Sequence, residues 1–237
     1  MIETTVETLA DIINAETSAA PAGRITGVST DSRNVRAGNC FFAIKGPSFD
    51  GHDYIEQAFE KGACCAVVSR RPSGLSAEKF VLQVPDTVKA LGELARWYRK
   101  SRPFRLIAIT GSVGKTTTRG IIYHVLGRHF RVHQSPANFN NEIGLPLTLL
   151  GADRDEELII AEIGANSPGE IAYLTGIAEP DIAVVNNVRP VHLEGFISLE
   201  NIKREKLSIV RGLGDNGVLV VNAELQSDLP RGNNFKT

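Results

Sequence analysis

The sequence contains no run of about 18 apolar residues, which removes a membrane-spanning helix from the options. It also lacks a basic stretch followed by an apolar core at the N-terminus. Met1 to Ala10 carries Glu3 and Glu7 instead, so no secretory leader is expected there. Cysteine is scarce. The three present, Cys40, Cys64 and Cys65, are odd in number, and two are adjacent in an apolar run. Reduced core thiols are therefore expected, not a disulfide framework or a cysteine metal site. Neither sign of charge dominates, with 26 Lys and Arg against 27 Asp and Glu, so the basic excess typical of a nucleic-acid or acidic-membrane binder is missing. These absences leave a soluble, cytoplasmic protein with no nucleic-acid partner as the expectation.

What is present is enough chain, 237 residues, for one large domain or two ordinary ones. The first 85 or so residues mix helical and strand patterns. Val6 to Ile13 and His52 to Lys61 read as helices, and Cys40 to Ile44, Ala63 to Val68 and Phe80 to Val84 as short strands. A helix from Thr87 to about Lys100, with Asp86 as its N-cap, then leads to Ser101-Arg102-Pro103. From Phe104 the pattern becomes repeated strand, loop and helix. Leu106 to Thr110, Leu158 to Ile163, Ile182 to Asn187 and Val218 to Val221 are the continuous apolar runs of parallel strands buried on both faces. The expected fold is α/β. A small N-terminal domain over 1–85, a connecting helix and linker over 86–103, and a mostly parallel-sheet P-loop domain over 104–237 make up the chain.

The strongest chemical signal is Thr110-Gly111-Ser112-Val113-Gly114-Lys115-Thr116-Thr117, between a buried strand and a helix read as amphipathic. Glycines let the backbone curl so that N–H groups face a polyphosphate, and the positive end of the new helix adds favourable potential. Lys115 would reach the β and γ phosphates, and the Thr116 hydroxyl would hold a bridging Mg2+. The loop is the short G-x-x-G-K-T form, because Ile109 stands where the longer pattern has its first glycine. Alone it leaves ATPases, GTPases, kinases and ligases open. Glu162, ending an apolar run, has the carboxylate and the strand-end position for a metal ligand, although such residues also serve as solvated rim groups or caps.

Further motifs follow in order: Asn138-Phe139-Asn140-Asn141-Glu142-Ile143-Gly144-Leu145-Pro146, Ala161-Glu162-Ile163-Gly164, His192-Leu193-Glu194-Gly195-Phe196, and Lys203 to Lys206. After G-x-x-G-K-T-T this series resembles the central domain of the Mur ligases, and H-L-E-G-F with the N-x-N-N-x-I-G-x-P-L run points to the MurF type. Thr30-Asp31-Ser32-Arg33, Gly46 and Asp50-Gly51-His52 are similar to the first domain of the family. The likeness runs from about Thr26 to Asn222.

The resemblance implies a cytoplasmic, ATP-dependent ligase of peptidoglycan precursor synthesis. It would join D-alanyl-D-alanine to UDP-N-acetylmuramoyl-tripeptide through an acyl phosphate, and the intact enzyme is expected to be a monomer. It implies Gly111 to Thr117 and Asn141 as ATP contacts, and Thr116, Glu162, His192 and Lys206 as Mg2+ ligands. Asp31, Ser32, Arg33, Asn138 and Asn140 would be substrate contacts, and Lys115, His192 and Lys206 would serve catalysis. Lys206, 14 residues after His192, is the position that the family spacing selects for a CO2-derived carbamate. Two departures stand out: Val191 replaces a smaller residue, and Asn222-Ala223-Glu224 replaces Asn-x-Asp, which weakens a nucleotide role for Glu224. The family also continues past Thr237, so the expectation is a truncated central domain that does not turn over at a useful rate by itself. A Mur-type ligase for another amino acid or a folate or polyamide acceptor, or a nucleotide-binding module without turnover, are the alternatives.

Overall fold

Two all-parallel sheets organise the chain, each in its own compact unit, Met1–Tyr98 and Arg99–Thr237. The structure, a computed structural model, describes residues 1–17, 23–76, 79–136, 138–190, 196–229 and 236.

In the first unit β1 (Thr4–Thr5) and β2 (Arg24–Ile25) form an antiparallel pair, with α1 (Val6–Ile12) after β1. Thr5 caps α1 by accepting a hydrogen bond from Thr8 N at 3.1 Å. The main sheet is β3 (Gly27–Ser29), β4 (Asn39–Phe42), β5 (Cys65–Val68) and β6 (Val81–Gln83), in sequence order. β4 and β5 are buried along their whole length, as strands covered on both faces must be. Phe41, Ala66 and Val68 pack on Ile55 and Ala58 of α2 (Ile55–Glu60). A fully buried Phe or Ile contributes roughly 1.5–3 kcal/mol of transfer free energy. The segment read from the sequence as one helix from His52 begins instead as a 3-10 turn, Gly51–Tyr54. Gly51 packs so closely that a Cβ would lie 2.7 Å from Ile44 N, and this contact holds the turn tight. α3 (Thr87–Lys100) buries Thr87, Leu91, Leu94 and Tyr98 at helical spacing, and Asp86 Oδ1 accepts from Val88 N and Lys89 N.

The second unit is a five-stranded sheet in the order β11-β10-β7-β9-β8. Its strands are β7 (Arg105–Thr110), β8 (Val132–Gln134), β9 (Leu158–Glu162), β10 (Ile182–Val185) and β11 (Val218–Val221). Among the described residues four α-helices lie between them: α4 (Lys115–Leu126), α5 (Gly144–Gly151), α6 (Glu170–Ala178) and α7 (Leu199–Leu207). The chain leaves β7 towards β8 and β9, then crosses to β10 and β11 on the other side. β7 is thus the point where strand order reverses, and ligands of open parallel sheets sit beyond the strand ends there. α4 is less covered than an amphipathic helix is expected to be. Ile122 and Leu126 lie half-buried against Ile107, Ile109 and Ile160, while Ile121 and Val125 face solvent. No helix among the described residues is long and apolar enough to cross a membrane.

Candidate active site

β7 ends at Thr110 and the chain turns directly through Gly111-Ser112-Val113-Gly114 into α4. Gly111 and Gly114 have φ of +151° and +82°, backbone that a side chain would strain. A Cβ on Gly111 would also stand 3.0 Å from the Asn186 Cβ. Because α4 opens on Lys115, its first-turn N–H groups and positive end meet the loop. Lys115 Nζ folds back to donate to Gly111 O at 2.8 Å, and burial lowers its pKa against the opposing pull of Glu162.

Glu162 is the last residue of β9, in register with Ile109 of β7, and only 2% exposed. The Thr116 hydroxyl donates to its Oε2 at 3.2 Å. Its Oε1 lies 3.1 Å from Arg119 Nη1. That approach is an ion pair without hydrogen-bond alignment, since Nη1 is directed at Ser135 O. Oxygen-only donors, one of them a buried carboxylate oxygen with unused hydrogen-bonding capacity, fit a Mg2+ ion, and Arg119 is the cation that neutralises Glu162 here.

Lys206, on α7, is 3% exposed. Burial first, and the Lys115 ammonium second, push its pKa down to about 8, opposed by Glu205 and Glu170. Lys203, less than one turn earlier, has the opposite surroundings. Its ammonium pairs with Asp228 at 2.8 Å and Glu200 at 3.0 Å, and those carboxylates raise its pKa. Glu205 fastens α7 to the start of α6, accepting from Gly169 N at 2.7 Å and Ile171 N at 2.8 Å.

Asn140 packs against Gly164, two residues beyond Glu162, where a Cβ would be 3.1 Å from its Cγ. Asn141 Oδ1 accepts from Ile143 N and Gly144 N and sets the start of α5. Asn138 sits in a left-handed turn, φ +67°. His192 lies outside the described residues. Sequence reading missed Arg119, Glu205 and the pair Asn186-Asn187. The last left a trace: two amides closing an apolar strand run are polar groups at a sheet's ligand end.

In the first unit Asp31, Ser32 and Arg33 line one cavity of about 520 Å³ with Phe49, Tyr54 and Gln57, a volume in the range of small-molecule sites. Asp31 Oδ1 accepts from Arg33 N at 2.9 Å, and hydrogen bonding from the Arg33 side chain lowers the Asp31 pKa. Ser32 Oγ donates to Gln57 Oε1 at 2.5 Å. Behind the cavity wall His52 accepts from Ser69 N on Nε2, so Nδ1 carries the proton and donates to Asp50 Oδ1 at 2.5 Å.

The profile described as Mur ligase middle domain matches residues 109–232, and that described as Mur ligase family, catalytic domain, matches 24–99. The chain belongs to the Mur ligase family. Among Mur ligases it is 41% identical, over 94% of its length and 50% of the relative's, to UDP-N-acetylmuramoyl-tripeptide--D-alanyl-D-alanine ligase of Haemophilus influenzae. The Bacillus subtilis enzyme of the same name is 40% identical over 93% of this chain and 49% of its own. Among solved Mur ligases, MurF from Acinetobacter baumannii superposes with a TM-score of 0.88 at 32% identity, covering 96% of this chain and 51% of that one. MurF from Thermotoga maritima in complex with ADP gives 0.80 at 36% identity, covering 88% and 49%. The chain spans about half the length of the curated relatives it matches.

Proposed function

We propose that this chain supplies the uridine-nucleotide-binding and ATP-binding parts of a cytoplasmic ligase that adds D-alanyl-D-alanine to UDP-N-acetylmuramoyl-tripeptide. The observation that carries the reading is the meeting of the Gly111 to Thr117 loop, through the Thr116 hydroxyl, with the buried Glu162 at the strand-order reversal. The names of the relatives and the cavity at Asp31, Ser32 and Arg33 support the choice of substrates. In that reading the first unit holds the uridine nucleotide and the second holds ATP.

The tripeptide carboxylate attacks the γ phosphate of ATP and expels ADP, giving an acyl phosphate; the amine of D-alanyl-D-alanine then displaces inorganic phosphate from it and loses a proton to form the amide. Bringing two unit anions to 4 Å costs roughly 4 kcal/mol at an effective dielectric near 20, so the site must offer cations. Lys115 exchanges its contact with Gly111 O for the phosphates, while the N–H groups of the first α4 turn face them. Thr116 and Glu162, with His192, would hold Mg2+, which supplies positive charge to the phosphate oxygens. Lys206 is the lysine suited to carbamate formation, in which a neutral amine adds CO2 and loses a proton. With a pKa of about 8, roughly a tenth of it is neutral at pH 7, far more than of an ordinary lysine.

The test is calorimetry with Mg-ADP and, separately, with UDP-N-acetylmuramoyl-tripeptide. Both ligands should bind, and UDP should displace only the second. A chain that binds neither would overturn the reading. Carbamylation is checked by carbon NMR with labelled bicarbonate: the carbamate signal should vanish in Lys206→Met and persist in Lys203→Met.

A further inference from the structure

The phosphate loop is held from outside by the end of β10. Asn187 accepts from Ser112 N on its main-chain oxygen at 3.1 Å, accepts from Val113 N on Oδ1 at 3.1 Å, and donates from Nδ2 to Val113 O at 3.0 Å. One residue thereby pairs with two successive residues of the loop, as an added strand would. Its neighbour Asn186 donates from Nδ2 to Thr118 Oγ1 in the first turns of α4 at 2.8 Å, and its Cβ bounds the space of Gly111. Just after them, Arg189 N donates to Ser112 Oγ at 2.9 Å, and that hydroxyl donates to Arg189 O at 3.0 Å.

We infer that Asn187 is a positioning residue for nucleotide binding, the template on which the Ser112-Val113 segment is set before a ligand arrives. A loop with only two residues between its glycines has few internal contacts to fix it, and its glycines widen the conformations open to it. The Asn187 amide removes that freedom in advance, so the ordering cost does not fall on ligand binding. The donors from Gly114 to Thr116, at the mouth of α4, are then presented in one arrangement. This inference rests on the reading of Gly111 to Thr117 as the nucleotide site.

Amide hydrogen exchange on the free chain and Mg-ADP titration together test it. In the parent protein the Ser112 and Val113 amides should be protected without nucleotide. In Asn187→Ala the Val113 amide should exchange at least tenfold faster, Mg-ADP affinity should fall about tenfold, and the melting temperature and UDP binding should stay near the parent's. Asn187→Ser, whose side chain is too short to reach both Val113 groups, is a second variant should the first fold poorly, and it should weaken Mg-ADP binding likewise. An unprotected Val113 amide in the parent overturns the inference, as does unchanged Mg-ADP affinity in both variants. A parent that binds no Mg-ADP while keeping Val113 protected overturns the nucleotide reading, and this inference with it.

Discussion

The four-stranded sheet of the first unit runs in sequence order, β3-β4-β5-β6, whereas the five-stranded sheet of the second reverses on either side of β7. Both bury parallel strands, but they serve a ligand differently. The reversal leaves a crevice at the strand ends, and there the chain places fixed charge: Lys115, Glu162, Arg119 and Lys206. Without a reversal, the first unit builds its cavity from 3-10 turns and exposed aromatics, Phe49 and Tyr54, beside the small polar network of Ser32 and Gln57. Under the proposed function, the charged surroundings of the second unit suit the polyphosphate of ATP, and the aromatic ones of the first suit the planar base of the uridine nucleotide.

The largest effect should come from the charge side. Lys115→Ala is expected to weaken Mg-ADP binding about a hundredfold while leaving UDP binding unchanged. Equal calorimetric affinities for parent and variant would erase the distinction between the two sites.

Next comes the pH dependence of folding. The Lys206 pKa is about 8 when folded, against 10.5 as its reference. Below pH 8 both states are protonated and the folded state bears the full cost of a buried ammonium. Between 8 and 10.5 the unfolded state binds more protons, so stability rises with pH. Replacing the amine should remove that rise, worth roughly 2 kcal/mol, and urea melts of parent and Lys206→Met at pH 7.5 and 10 will read it. Parallel pH profiles for the two proteins would sink the account of Lys206 as a costly buried cation.

On the aromatic side, Tyr54→Ala should reduce affinity for the uridine nucleotide roughly five- to tenfold by removing a stacking surface, with Mg-ADP binding unaltered. The smallest effect is expected for Lys203→Ala. Its ammonium is solvated, and its two carboxylate partners lie on the surface, so the urea midpoint should not move measurably. A large shift there would mean that the contrast between Lys203 and Lys206 is misjudged.

The charged end was far more legible in the sequence than its supports. Strand β7, the glycine loop and α4 are contiguous, and their hydrophobic pattern and glycine spacing are local properties. Glu162 could be placed because a continuous apolar run ends on it. α5 escaped because Gly-Leu-Pro-Leu-Thr-Leu-Leu-Gly is apolar on nearly every face and shows no helical period. α7 escaped for the opposite reason, since Leu199 to Leu207 is mostly polar and its buried residues include Glu205 and Lys206. β8 is three residues long, and β1, β2 and β3 are no longer. Contacts such as Arg119 with Glu162, Asn187 with Val113 and Glu205 with Gly169 join residues dozens of positions apart, and no local rule encodes them.

The strand order also dictates how the second unit can be made. β7, the central strand, is synthesised first, but its partner β9 begins at Leu158 and its other partner β10 at Ile182. On a ribosome the apolar Leu106 to Ile109 therefore emerges well before either neighbour that covers its edges. Closing such sequence-distant pairings is slow, and an exposed strand invites the wrong partner meanwhile. Pulse-labelled exchange during refolding should find β7 amides gaining protection together with those of β9, and not ahead of them. The Gly111 to Thr117 loop would then be among the last parts to take shape, since the Asn187 that braces it arrives 74 residues after Val113.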